Sequence, residues 1–205
     1  MTERQRAPNF PPLNAFPDRM PEKKRIHVMD EADVRREIAR MAREIVERNE
    51  GIEGLVLMGV HRRGTQIADL LQREVENVAG APVSSGTIDI TLYRDDLGTI
   101  GPRPVVGESE LPPHGIDGMT VVLVDDVAYT GRTMRAAINE LSDWGRPRRI
   151  QFCVLVDRGG RELPIQPDFV GRKVAVAKNQ RVEVYVPELD GKLGVDLRAV
   201  EPDAA

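Results

Sequence analysis

The chain has 205 residues and a formal net charge of −4, with 40% hydrophobic and 30% charged residues. This composition is typical of a globular protein rather than a disordered one, and the length suits one α/β domain. No apolar run approaches the roughly 20 residues of a membrane-spanning helix, and no signal-peptide pattern opens the chain, so the expected location is the cytoplasm. The acidic balance argues against unselective binding along nucleic acid. One cysteine and three scattered histidines predict neither a disulfide framework nor a zinc cage.

Five prolines punctuate residues 1–25, which predicts a tail without helix or sheet ahead of a domain over 26–205. Apolar spacing within the domain predicts alternating helices and strands. In chain order these are a helix over 30–49, a buried strand over 55–60, a helix over 65–78, a half-polar strand over 88–92, a buried strand over 121–124, a helix over 131–144, a strand over 150–156, and shorter strands near 174–177, 182–186 and 193–197. Residues 95–118 show neither the helical nor the strand spacing of apolar residues, and they are predicted to form a long loop. Alternating elements with buried strands favour a parallel sheet covered on both faces.

The strongest chemical signal follows the second buried strand, at the edge of the sheet where parallel sheets bind ligands. It consists of nine consecutive residues: Asp125, Asp126, Val127, Ala128, Tyr129, Thr130, Gly131, Arg132 and Thr133. Two carboxylates precede small and hydroxyl residues that lead into a helix, whose first N–H groups attract anions. The carboxylates call for hydroxyl groups or a metal, and the helix entrance calls for a phosphate. A ribose 5-phosphate has this shape. The alternative is that the two residues have structural roles only: Asp126 caps a turn and Asp125 forms an ion pair.

Neither a Walker A lysine nor a G-x-G-x-x-G pattern is present, which excludes the common nucleoside-triphosphate and dinucleotide sites. Residues 121–133 instead resemble the phosphoribosyl-pyrophosphate (PRPP) motif of type I phosphoribosyltransferases. Segments 88–96, 154–159 and 161–165 are similar to the PyrR family, and the similarity extends over about 28–186. That family pairs uracil phosphoribosyltransferase activity with regulation of pyrimidine operons through their messenger RNA.

The resemblance implies the type I phosphoribosyltransferase fold, a central, mainly parallel sheet flanked by helices, with a small hood at about 161–186. It also implies conversion of uracil and PRPP into UMP and pyrophosphate with Mg²⁺. In this family Asp125 and Asp126 would bind the ribose hydroxyls, directly or through Mg²⁺, and residues 128–133 would hold the 5-phosphate. Asp126 is also the candidate general base.

The remaining substrate contacts are likewise implied by the resemblance. Arg62 and Arg63 would neutralise the pyrophosphate, the alternative being a solvated basic turn. Residues 93–107 would form a loop over the reacting centre, with Arg94 or Arg103 as a phosphate contact. Arg158 and the backbone near Val182 would frame the uracil.

Regulation in this family depends on a basic face that binds leader RNA when uridine nucleotides such as UMP or UTP are present. The candidate RNA contacts are four arginines: Arg36, Arg40, Arg43 and Arg161. Gly160 and Gln166 depart from the family pattern, because histidine and arginine are usual there and both would offer donors to RNA. An enzyme of pyrimidine salvage without RNA regulation therefore stays an alternative, as does a nucleotide sensor with little turnover. The family forms dimers and tetramers; whether regulation acts on transcription termination or on translation is open.

Overall fold

The computed structural model describes residues 25–91 and 109–199. The predicted tail, apart from its last residue, and most of the predicted loop lie outside these ranges. The elements in chain order are β1 (Arg25–Met29), α1 (Glu31–Arg48), β2 (Leu55–Val60), α2 (Arg63–Ala79), β3 (Ser84–Ile88), β4 (Thr120–Ala128), α3 (Arg132–Trp144), β5 (Arg149–Asp157), β6 (Phe169–Lys173), β7 (Gln180–Tyr185), α4 (Pro187–Asp190) and β8 (Gly194–Ala199). Within the described residues, no helix has the length and apolar character needed to cross a membrane.

The main sheet has five parallel strands in the order β3-β2-β4-β5-β6, as the alternating pattern predicts. Every residue of β2 is buried, because helices cover both faces of the sheet. Leu57 and Val122 belong to the core cluster shared with α1 and α2, whereas Met58 and Leu123 belong to the cluster shared with α3. The two cores anchor the strands whose carboxyl ends carry the polar turns.

A second, antiparallel sheet joins the two ends of the domain in the order β1-β8-β7. The predicted hood at about 161–186 meets this sheet only at β7, since β6 pairs in parallel with β5 of the main sheet. Apolar spacing predicts no strand at β1. Its five residues alternate only weakly and are mostly exposed, so their partner β8, distant in sequence, decides that they form a strand.

Most predicted helices and strands are confirmed within a few residues, and α1 begins at the capping box of Asp30 and Asp33. Two predicted strands are wrong. A strand is expected over 88–92, but β3 covers Ser84–Ile88. It ends at Ile88 because the Asp89 carboxylate accepts the Thr91 N–H at 2.8 Å and turns the chain. The strand near 174–177 instead lies at 169–173, where buried Phe169 pairs with β5.

The strand predicted over 121–124 extends further along the chain than expected. β4 continues through Ala128, and its pairing with β5 extends to the partners Ala128 and Asp157. Asp125 and Asp126 are therefore strand residues held by the sheet, not members of a loop. Gly64 at the start of α2 packs directly against them, since a Cβ there would lie 2.6 Å from the Val124 carbonyl oxygen. The close approach brings the turn after β2 next to the two carboxylates.

Candidate active site

The carboxyl edge of the main sheet carries the predicted polar turns after β2, β4 and β5. A cavity of about 510 Å³ opens beside them and is lined by Asp126, Arg63 and the β7 residues Arg181 to Tyr185, among others. Asp190 from α4 closes another side of the same cavity. Elements far apart in sequence thus converge on one charged cleft.

The carboxylates of Asp125 and Asp126 are the electrostatic centre of this cleft. Asp125 Oδ1 accepts the Asp126 N–H at 2.9 Å, and Asp126 Oδ1 accepts the Val127 N–H at 2.8 Å. Burial raises the pKa of Asp125 well above its ordinary value, and the neighbouring Asp126 charge adds to the increase. Burial also raises the pKa of Asp126, opposed by hydrogen bonds and by the charge of Arg63. A cation or a set of hydroxyl donors would stabilise the ionised pair.

The loop between β4 and α3 has the features of an anion site. Gly131 precedes α3 with φ of 93°, and no side chain caps the helix at that residue. Thr130 Oγ1 accepts the Arg132 N–H at 3.3 Å, so a hydroxyl already lies at the helix entrance. The first N–H groups of a helix lack carbonyl partners, and they favour a bound phosphate.

The segment after β5 holds this loop in place. Thr130 O accepts the N–H groups of Glu162 and Leu163, both at 3.0 Å. Arg161 donates from Nη1 to Tyr129 O at 2.7 Å and from Nη2 to Asp157 Oδ1 at 2.8 Å. With 11% of its side chain exposed, Arg161 supports the loop from beneath, which leaves little of its guanidinium to contact RNA.

The basic turn after β2 is tied to α4. Arg63 Nη2 lies 3.0 Å from Asp190 Oδ1, and Asp190 Oδ2 accepts the Val186 N–H at 2.9 Å. Among the described residues, no acceptor reaches the buried nitrogens Arg63 Nε, His61 Nε2 or Arg158 Nε. Arg63 lines the cavity, so its buried Nε is available to a polar ligand there.

The chain is similar to known proteins over most of its length. A protein-family model described as a phosphoribosyl transferase domain matches residues 29–188. The Bifunctional protein PyrR of Roseiflexus sp. is 51% identical over 169 residues, covering 82% of this chain and 91% of the relative. That of Thermus aquaticus is 52% identical over 170 residues, covering 83% and 93%. The chain belongs to the PyrR family of phosphoribosyltransferases.

Solved structures show the same fold at lower sequence identity. A hypoxanthine phosphoribosyltransferase from Trypanosoma cruzi has a TM-score of 0.64 and 24% identity, covering 86% of this chain and 95% of that chain. A hypoxanthine-guanine phosphoribosyltransferase from Bacillus anthracis has a TM-score of 0.64 and 19% identity, covering 85% and 98%. The predicted type I phosphoribosyltransferase fold is therefore confirmed for this PyrR family member.

The structure places the substrate-site residues predicted from the PyrR resemblance as follows. Arg63, Asp126 and Val182 line one cavity, and Asp125 adjoins Asp126 on β4. Arg158 follows β5, where its Nη2 donates to Gln180 O at 3.3 Å. Arg62 directly precedes α2, and its carbonyl accepts the Thr65 hydroxyl at 2.7 Å. Arg94 and Arg103 lie outside the described residues.

The predicted RNA contacts on α1 lie on the outer surface and differ in their partners. Arg36 pairs with Asp33. Arg40 contacts Glu37 and Glu44 and donates to Gly171 O at 2.9 Å. Arg43 is exposed, and no ion pair to it occurs within the described part of the chain.

Sequence reasoning missed Asp190, which orients Arg63. The only local signal is an acid in a four-residue helix after Pro187, and acids at such positions are common on protein surfaces. Its partner is 127 residues away in the chain, so only the tertiary structure reveals the pair.

Replacing Asp125 by Asn is expected to stabilise the protein. The folded-state pKa of Asp125 is raised above the unfolded value of about 3.9, so ionisation costs the folded state stability as the pH rises beyond about 4. Asn removes the charge and keeps an Oδ1 acceptor. In Mg²⁺-free buffer we expect a melting temperature about 2–4 °C higher at pH 8, the shift that roughly 1 kcal/mol produces in a domain of this size.

Calorimetry at pH 8 and pH 5 checks this expectation, since the gain should shrink at the lower pH. Glu53→Gln, which neutralises an exposed carboxylate, is the control and should change the melting temperature little. An Asp125→Asn protein that melts no higher than the control at pH 8 would contradict the prediction.

Proposed function

We propose that this protein transfers the phosphoribosyl group of PRPP to uracil, forming UMP and pyrophosphate, and also binds pyrimidine-operon leader RNA under the control of uridine nucleotides. The observation that carries the proposal is a pair of carboxylates on β4, buried Asp125 and half-buried Asp126, joined to a phosphate-type loop at the start of α3. Relatives 51% and 52% identical are named Bifunctional protein PyrR, which supports both halves of the proposal.

The two carboxylates fit the Mg²⁺ that the proposal includes. Each carboxylate accepts one backbone N–H through Oδ1, and carboxylate oxygens are the protein ligands that Mg²⁺ prefers. Within the described residues, no group of three or more histidine, cysteine or acidic side chains is placed to hold a metal. Oxygen atoms of PRPP would therefore complete the octahedral shell that Mg²⁺ prefers. When bound, Mg²⁺ would neutralise charge on the pyrophosphate.

In the proposed reaction the bond from ribose C1 to the pyrophosphate oxygen breaks and a bond from uracil N1 to C1 forms. The uracil N1 proton is released, with Asp126 as the candidate acceptor. Positive charge develops on the ribose and negative charge on the leaving group. Asp125 and Asp126 would face the ribose, while Arg62 and Arg63 would stabilise the pyrophosphate through charge-assisted hydrogen bonds.

The proposed RNA function draws on the outer face of α1. Arg43 projects from this helix without an ion pair in the described structure, so its charge is free to neutralise a phosphate. Arg36 and Arg40 would have to exchange carboxylate partners for phosphates. A salvage enzyme without RNA binding is the second candidate function, favoured by the internal bonding of Arg161.

The Asp126→Asn variant tests the transferase activity. Loss of a carboxylate that faces the ribose and accepts a proton should lower kcat by about 10²-fold or more. UMP formation from uracil and PRPP is measured by chromatography, with Glu53→Gln as the charge-matched control. Near-normal turnover by Asp126→Asn would remove Asp126 from its assigned role.

Asp190→Asn tests the pyrophosphate turn. Asn retains the acceptor for the Val186 N–H but removes the charge that holds Arg63. We expect KM for PRPP to rise about tenfold, corresponding to about 1.4 kcal/mol, and KM for uracil to change less. Glu188→Gln removes an equal charge from the same short helix and should leave both KM values close to wild type. Equal effects of the two variants would contradict the role of Asp190.

A gel-shift titration tests RNA binding. Leader RNA from the pyrimidine operon of the source genome is titrated with protein, with and without UMP, at about 50 mM and about 200 mM salt. We expect UMP to strengthen binding, and Arg43→Gln to weaken it and to reduce the salt slope by about 1. Arg35→Gln, whose arginine pairs with Glu31, is the control. No shift by wild-type protein that retains transferase activity would select the salvage alternative.

A further inference from the structure

The ring of Tyr129 lies against the guanidinium of Arg158. The Arg158 Cζ atom is 4.1 Å from the ring centroid, the geometry of a cation–π contact. Tyr129 belongs to the loop after β4 and Arg158 to the turn after β5, and the Arg158 N–H donates to Ala128 O at 3.1 Å. The contact therefore links the turns that follow two neighbouring strands of the main sheet.

Few other contacts fix the Arg158 side chain. Nη2 donates to Gln180 O at a long 3.3 Å, and no described residue offers an acceptor to the buried Nε. A guanidinium carries five N–H donors in one plane, so several of them remain for a ligand. The stacked ring is the contact that sets the orientation of this plane.

The position of the ring depends on Gly160. A Cβ at this residue would lie 2.6 Å from Tyr129 Cε2 and 3.0 Å from Cδ2. Gly159 has a similar left-handed conformation, with φ of 68° against 75° for Gly160, yet no atom lies within 4 Å of the Cβ position there. Alanine at either residue meets the same backbone strain, and only at Gly160 does it also collide with the ring.

We propose that Tyr129 is a positioning residue that determines affinity for the pyrimidine base. Its ring holds the Arg158 guanidinium toward Gln180 and Val182, where the carbonyl oxygens of a uracil ring would accept charge-assisted hydrogen bonds. Gly160 preserves the space that the ring occupies. This inference rests on the proposed transferase function.

The backbone of Tyr129 has a separate task, because Arg161 Nη1 holds its carbonyl oxygen at 2.7 Å beside the phosphate loop. Changes to the ring should therefore act on uracil more than on PRPP. This separation distinguishes a positioning role from a general structural role, since unfolding or loop damage would affect both substrates.

The experiment measures KM for uracil and for PRPP in the full-length protein. Tyr129→Leu should raise the ratio of KM for uracil to KM for PRPP about two- to fivefold, the effect of losing a partly exposed cation–π contact. Tyr129→Phe, which keeps the ring, should restore most of the lost affinity. An unchanged ratio in Tyr129→Leu would overturn the inference.

The two glycines supply a matched pair of variants. Gly160→Ala should raise the same ratio as Tyr129→Leu does, whereas Gly159→Ala should not. In a Tyr129→Leu background, Gly160→Ala should add no further change, because the ring it displaces is already gone. Equal effects of the two alanines would assign the change to backbone strain and overturn the role of Gly160. Wild-type protein that cannot use uracil would instead overturn the proposed function, and the inference with it.

Discussion

The site depends on two carboxylates placed near the end of the central strand of the main sheet. β4 lies in the middle of the main sheet, and its pairing with β5 continues through Asp125 to Ala128. Sheet pairing fixes the backbone there, which places both carboxylates at the carboxyl edge of the sheet. Burial makes the ionised state of both groups costly, and the raised pKa of each group expresses this cost. Positive charge or hydroxyl donors from a ligand would relieve it.

The turn after β2 and the helix α4 are arranged around the same two carboxylates. The basic turn after β2 approaches the carboxylates because Gly64 leaves no side chain between α2 and β4. Arg63 lowers the pKa of Asp126, and Asp190 holds Arg63 in turn. A chain of alternating charges therefore extends from the sheet to α4. A ligand that carries both hydroxyls and phosphates matches this order of charges.

The loop that would hold the phosphate is organised by segment 157–163 rather than by its own residues. Arg161, Glu162 and Leu163 all donate to carbonyl oxygens of the loop. Arg158 and Gly160 from the same segment surround the exposed ring of Tyr129. One short segment therefore supports the phosphate loop from below and orients a guanidinium beside it. Residues 158–163, the part of this segment that follows β5, are dense in arginine and glycine and have no regular secondary structure.

The amino-acid sequence by itself determined the alternation of helices and strands, the cap of α1 at Asp30, and the placement of Asp125 and Asp126 at the end of a buried strand. These features follow from local capping and from apolar periodicity, which the order of residues expresses directly. The tertiary structure decided the strand at β1 and the position of β6, because partners distant in sequence decide whether short segments form strands. It also decided that Arg161 supports the loop internally, that Asp190 holds Arg63, and that the Tyr129 ring needs Gly160. Each of these pairs forms across a turn or between distant elements, where neither spacing nor composition carries a signal.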